Sequence, residues 1–169
     1  MAMSETTDAI MDAAEARIRR AGYSGFSFRE IAADVGVKSA SVHYHFPTKE
    51  KLAAAVARRY TDRFLEAVDH RLALGDGLVE AWRQVFRLAL HRDGKMCLCG
   101  ALGATSQDLA SEVKEEVKRF FLIGIERLVK GGLRRETAVQ VLATLEGAML
   151  TANVLDDPSM FDNGTAALA

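Results

Sequence analysis

The chain has 169 residues, 49% hydrophobic and 27% charged, with a formal net charge of -1; this supports a packed globular core and excludes a disordered or fibrous chain. No run approaches the ~18 consecutive apolar residues of a membrane span, and the N-terminus leads into Glu5, Asp8 and Asp12 rather than a basic-then-apolar leader, so a cytoplasmic protein without membrane contact is expected. Cys97 and Cys99 are too close together for a routine disulfide and too few for zinc, which points to reduced thiols, no metal and no cofactor.

Only two prolines occur, Pro47 and Pro158, and apolar residues recur at helical rather than alternating spacing, so the fold class is all-α. Glu5 to Ala21 reads as a first helix, with Ile10, Ala13, Ala14, Ile18 and Ala21 on one stripe and Gly22 as its stop. Ser27-Phe28-Arg29-Glu30 is a capping box, flanked by Phe26 and Ile31 as a hydrophobic staple, and starts a second helix that ends near Val35 before Gly36. Ser39 to His45 is a third short helix, so the glycine turn separates two helices of a helix-turn-helix. Pro47 breaks the chain, and Thr48 can cap a long helix carrying Leu52, Val56, Tyr60, Phe64, Val68 and Leu72, ended by Gly75 and Gly77. Leu78 to His91 is a further amphipathic helix. Arg92 to Thr105 is expected to be irregular, and Val113 to Leu128 forms a helical stripe stopped by Gly131 and Gly132. Glu136 to Leu155 is apolar around most of its circumference, and the tail from Pro158 to Ala169 leaves room for one short helix.

Charge is unevenly spread. From Arg17 to Arg59 nine basic residues face three acidic ones, a local charge of +6 that the acidic remainder hides. A basic head on a near-neutral chain is the pattern of a phosphate-binding domain.

The run from Phe26 to Leu52, FSFREIAADVGVKSASVHYHFPTKEKL, resembles the DNA-binding signature of the TetR family of repressors. The resemblance covers about the first third of the chain. It implies an N-terminal three-helix DNA-binding domain (residues 1–48), and a helical-bundle C-terminal domain for ligand binding and dimerisation (49–169), with residues 49–75 as the linking helix. It also implies a homodimer that represses by holding double-stranded operator DNA and is released by a small-molecule inducer. Two departures stand out: Lys38 replaces a serine-like cap, and His43 stands where tyrosine is common.

Side chains at the start of a groove-bound helix read base edges, while most hydrogen bonds go to phosphates. Arg29 suits a guanine edge, and Lys38, Ser39, Ala40 and Ser41 lie at the start of the second helix of the motif, where base contacts arise. Ser27, Tyr44, His45 and Lys49 are similar to the family's phosphate-contacting positions. His43 and His45 have either base contact or an ordinary surface or core place open to them.

In the body, Trp82, Phe86, Leu90, Met96, Phe120, Phe121 and Met149 are candidates for an apolar inducer pocket with His91 as a polar handle; plain core is the alternative for each. Cys97 and Cys99, near His91, Arg92 and Lys95, are candidates for sensing a reactive electrophile, since basic neighbours lower a thiol pKa; two small buried residues are the alternative. The last long helix is expected to form the dimer interface through Leu142, Leu145, Ala148, Met149 and Ala152, with small residues permitting close approach. An enzyme is disfavoured, because Cys97 or Cys99 with His91 as base lacks an orienting third group. A helical scaffold without DNA binding is the other rival, and it predicts no salt-sensitive association with duplex.

Overall fold

The structure is a computed structural model that describes residues 3–93 and 96–168. Among the described residues it holds nine α-helices and one 3-10 turn, without a strand. The chain forms two compact units, Met1–Tyr60 with Leu98–Val117, and Thr61–Cys97 with Lys118–Ala169.

In the first unit α1 (Met3–Ala21) buries Ile10, Ala14 and Ile18, one per turn, while Ala21 of the expected stripe is exposed. Gly22 adopts φ +69° and leads through the 3-10 turn Tyr23–Gly25 into α2 (Phe28–Val35). The capping box forms: Ser27 Oγ accepts the Glu30 amide at 3.3 Å and donates to Glu30 Oε2 at 2.8 Å. Phe26 and Ile31, the staple, are both buried. At the far end the Val37 N–H reaches the Ala32 carbonyl at 2.9 Å and Gly36 takes φ +75°, the left-handed closure that only glycine adopts cheaply. That closure turns the chain into α3 (Ser39–His45).

Thr48 caps α4 (Lys49–Ala73) by accepting the Lys51 amide at 3.2 Å. Leu52 and Val56 of its stripe lie in the first unit, and Phe64 and Val68 in the second, all buried; Leu72 is exposed, so the stripe stops a turn before the helix does. Arg59 joins α4 to α1 through Asp12 at 2.6 Å and Asp8 at 3.5 Å. The segment expected to be irregular contains a short helix, α6 (Leu98–Gly103), which packs on α1. Leu98, Cys99 and Leu102 share its buried face, and that burial outweighs the poor helix propensity of Gly100 and Gly103.

The second unit is built on α5 (Leu78–Asp93), α7 (Ser111–Lys130, from Lys118 onward), α8 (Arg135–Val154) and α9 (Ser159–Thr165). Phe64 is its aromatic hub, with ring centroids 5.5 Å from Trp82, 5.1 Å from Phe86 and 5.3 Å from Phe120. Gly124 allows this packing, because a Cβ there would meet Trp82 Cη2 at 3.2 Å and Leu142 Cδ2 at 3.3 Å. The tail does form a helix. Phe161 of α9 is fully buried, Gly164 sits against Ala148, and Arg87 holds Asp162 at 2.7 Å.

Candidate nucleic-acid interface

The local sequence of α2 and α3 dictates which side chains turn outward. Ile31, Ala32, Val42 and Phe46 are buried and clamp the two helices together, so Ser39, Ala40, His43 and Tyr44 share the opposite face of α3 and are exposed. Tyr44 is 74% exposed, an unusual state for so large a ring. Lys38, the N-cap of α3, contributes no side-chain hydrogen bond to the cap and is exposed, as are Arg29 and Ser27 on α2. Ser41 is half-buried, its amide on the Lys38 carbonyl at 2.8 Å.

Three candidates are tied down. The His43 ring meets Phe28 edge to face at 4.6 Å, and His45 Nδ1 pairs with Thr7 Oγ1 of α1 at 3.0 Å. The Lys49 ammonium lies 4.7 Å from the Tyr23 ring centre and 4.5 Å from that of Phe26. Burial holds the Lys49 pKa below the usual lysine value, and burial followed by the hydrogen bond to Glu50 pushes the Tyr23 phenol up to about 12.

Acidic groups near this face are engaged by neighbouring side chains. Arg17 of α1 binds Asp34 at 2.5 and 2.9 Å and Glu30 at 3.1 Å. Its side-chain bonds keep the Asp34 carboxyl below the usual range; that of Glu30 is held down first by the Ser27 hydroxyl. Glu50 accepts from the Tyr23 hydroxyl at 3.1 Å. The three acids of the basic stretch are thereby occupied while Arg29, Lys38 and Lys51 remain exposed, which leaves a positive field for an anionic polymer. Thr7, Arg17 and Tyr23 were not among the expected site residues. They lie outside the signature run, and pairing over 13 to 38 positions has no local sequence mark.

In the body, Trp82, Phe86, Leu90, Phe120 and Met149 are buried, and Phe121 and Met96 are half-buried. Trp82, Phe86 and Phe120 come together around Phe64. His91 is exposed on α5, so it does not serve as an internal polar handle. Cys97 and Cys99 are both fully buried and not in a disulfide; the Cys97 amide donates to Met149 Sδ at 2.9 Å, and Lys95 lies outside the described residues. Leu142, Leu145, Ala148, Met149 and Ala152 are packed inside the chain itself, each 8% exposed or less, and have almost no area left to bury against a second copy. The outward face of α8 is instead Val139, Ala143, Gly147, Leu150 and Val154. Glu146, also missed, turns its carboxyl inward from the same helix. Its mark in the sequence was being the lone acid between Val141 and Met149.

Residues 10–56 match the family profile of bacterial regulatory proteins, tetR family. No curated protein sequence is significantly similar to the chain. Among solved structures, a TetR transcriptional regulator from Legionella pneumophila is 29% identical with a TM-score of 0.83, over 95% of this chain and 93% of that one. A TetR-family regulator from Agrobacterium tumefaciens is 25% identical with a TM-score of 0.88, over 98% and 96%. A member of the TetR family from Streptomyces coelicolor A3 is 26% identical with a TM-score of 0.76, over 97% and 96%. Among the described residues no helix is long and apolar enough to cross a membrane. Residues 10–56 thus carry the profile of the tetR-family DNA-binding region, and over nearly its whole length the chain is similar in structure to TetR-family transcriptional regulators.

Proposed function

We propose that the chain is a homodimeric repressor that holds operator DNA through α2 and α3 and lets go when a small molecule occupies its body. The observation that carries the reading is the exposed polar face of α3, with Tyr44 standing out beside Lys38, Ser39, Ala40 and His43. In this reading Arg29, Lys38, Ser39, Ala40 and Ser41 meet base edges, with His43 at the margin. Ser27, Tyr44, His45 and Lys49 set register on phosphates. Residues 1–48 form the reading head, residues 49–169 form the regulatory body, and α4 is the lever between these roles.

Dimerisation is assigned to the outward face of α8, where Leu150 is 52% and Val154 71% exposed beside Ala143 and Gly147. An apolar strip flanked by small residues is suited to close helix packing across a two-fold axis. The release signal we adopt is non-covalent. A reactive electrophile acting at Cys97 or Cys99 would first have to open the packing, since neither thiol exposes any area.

The experiment is a mobility shift with duplex from the region upstream of the chain's own gene. Binding is expected at ~50 mM salt, falling by orders of magnitude toward ~200 mM as several phosphate contacts are lost. A protein that ignores this duplex and bulk genomic fragments at low salt removes the reading in favour of a helical scaffold.

A further inference from the structure

Glu146 has a setting that DNA binding does not explain. Both of its carboxyl oxygens are buried, and among the described residues neither has a hydrogen-bond partner. Burial pushes this carboxyl up to about 7; the neighbouring Cys97 thiol draws it part of the way back without completing a bond of normal geometry. Leu142, one turn earlier on α8, closes with Trp82 on Gly124, and Met149, three residues later, accepts the Cys97 amide. Asn153 adds an amide that reaches Met96 Sδ at 3.5 Å. The carboxyl therefore belongs to a stretch of the α8 face bounded by an indole at one end and by thioether and thiol sulfurs at the other. All of these residues lie in the second unit.

Buried polar atoms are matched in more than nine cases of ten, and an unmatched carboxyl in apolar surroundings is costly. Trp82 Nε1 in the same unit is buried too, without a hydrogen-bond partner among the described residues. An indole donor and a carboxyl, both buried without a hydrogen-bond partner among the described residues of one packed unit, suggest groups that a ligand completes.

We propose that Glu146 is the recognition group of an effector site in the second unit, and that the effector is an organic amine, a protonated nitrogen carried on an apolar body. This rests on the reading that a small molecule governs release from DNA. A cation is the partner that turns the buried carboxyl from a liability into a charge-assisted hydrogen bond. A neutral donor supplies only an ordinary hydrogen bond and leaves the charge in place, and an anion is repelled by the ionised form. Trp82 bounds the stretch through Gly124 and Leu142, and the flexible thioethers of Met96 and Met149 can adjust to the ligand's outline.

The test compares two probes of one shape, 4-phenylbutylamine and 4-phenylbutanol, titrated calorimetrically into the full chain and into Glu146→Gln. The parent is expected to bind the amine at least ~10-fold more tightly than the alcohol, and the variant to bring the two within about twofold. Equal affinities in the parent, no binding of either probe, or an amine preference that survives in Glu146→Gln overturns the proposal. Should the variant fail to fold, the parent's amine-to-alcohol ratio decides by itself. A mobility shift on the same parent preparation separates the two readings. A protein that binds duplex but shows no amine preference loses this inference alone, whereas one that ignores duplex loses the repressor reading whatever the amine does.

Discussion

Replacing Glu146 by glutamine removes the charge while keeping the shape, and the structure sets the size and sign of the outcome. In the unfolded chain this carboxyl ionises near 4.5, and in the folded chain at about 7. Between those values the folded state holds a proton that the unfolded state has released, so stability contributed by Glu146 is fully present below 4.5 and is lost as pH rises through 7. A rise from 4.5 to about 7, at ~1.4 kcal/mol for each pH unit, amounts to ~3 kcal/mol. Because the carboxyl oxygens are buried, solvent screening takes little from this figure. Urea unfolding of parent and Glu146→Gln from pH 4.5 to pH 8.5, at one fixed protein concentration, isolates the effect, since every other titrating group cancels in the difference. The glutamine variant should gain on the parent by ~3 kcal/mol across that range and level off above pH 8. A difference that stays flat with pH means that the carboxyl is solvated or paired in the folded protein, and the reasoning about its burial fails.

Tyr44→Ala should leave the unfolding midpoint within ~0.5 kcal/mol of the parent, because the ring is exposed, yet weaken duplex binding at least ~5-fold in a fluorescence anisotropy titration. Unchanged binding would take α3 out of the groove. Gly36→Ala should lose ~1 kcal/mol in urea unfolding, because the left-handed turn between α2 and α3 is strained for any residue with a Cβ, and Gly36→Asn should lose less. Leu150→Glu should yield monomers in sedimentation equilibrium with helix content retained, whereas a dimer that persists would move the interface off the outward face of α8.

The reading head was legible because its determinants are local. The box at Ser27 and Glu30, the glycine turn at Gly36 and the proline break after Phe46 each act within a few residues, and all three appear where expected. Helix α6 was missed because its glycines argue against a helix, while the burial of Leu98, Cys99 and Leu102 that favours it is tertiary. On α8 the apolar character around the helix gave its importance but not its orientation. Leu142 and Leu145 face inward and Leu150 outward, and only the positions of the neighbouring helices decide between those faces. Glu146 was passed over for a related reason, since one acid in an apolar run reads as a surface position until its oxygens are found inside.

Lys49 rests on Tyr23 and Phe26 before any nucleic acid arrives. A free lysine side chain gives up ~2 kcal/mol of rotamer freedom when it is immobilised on a partner. Here that loss belongs to folding of the head, and part of the ammonium's hydration shell has already been stripped by the two rings. In the proposed reading, docking of Lys49 onto a phosphate therefore demands less reordering than docking of Lys38 or Lys51, and the head would meet duplex with one anchor already set.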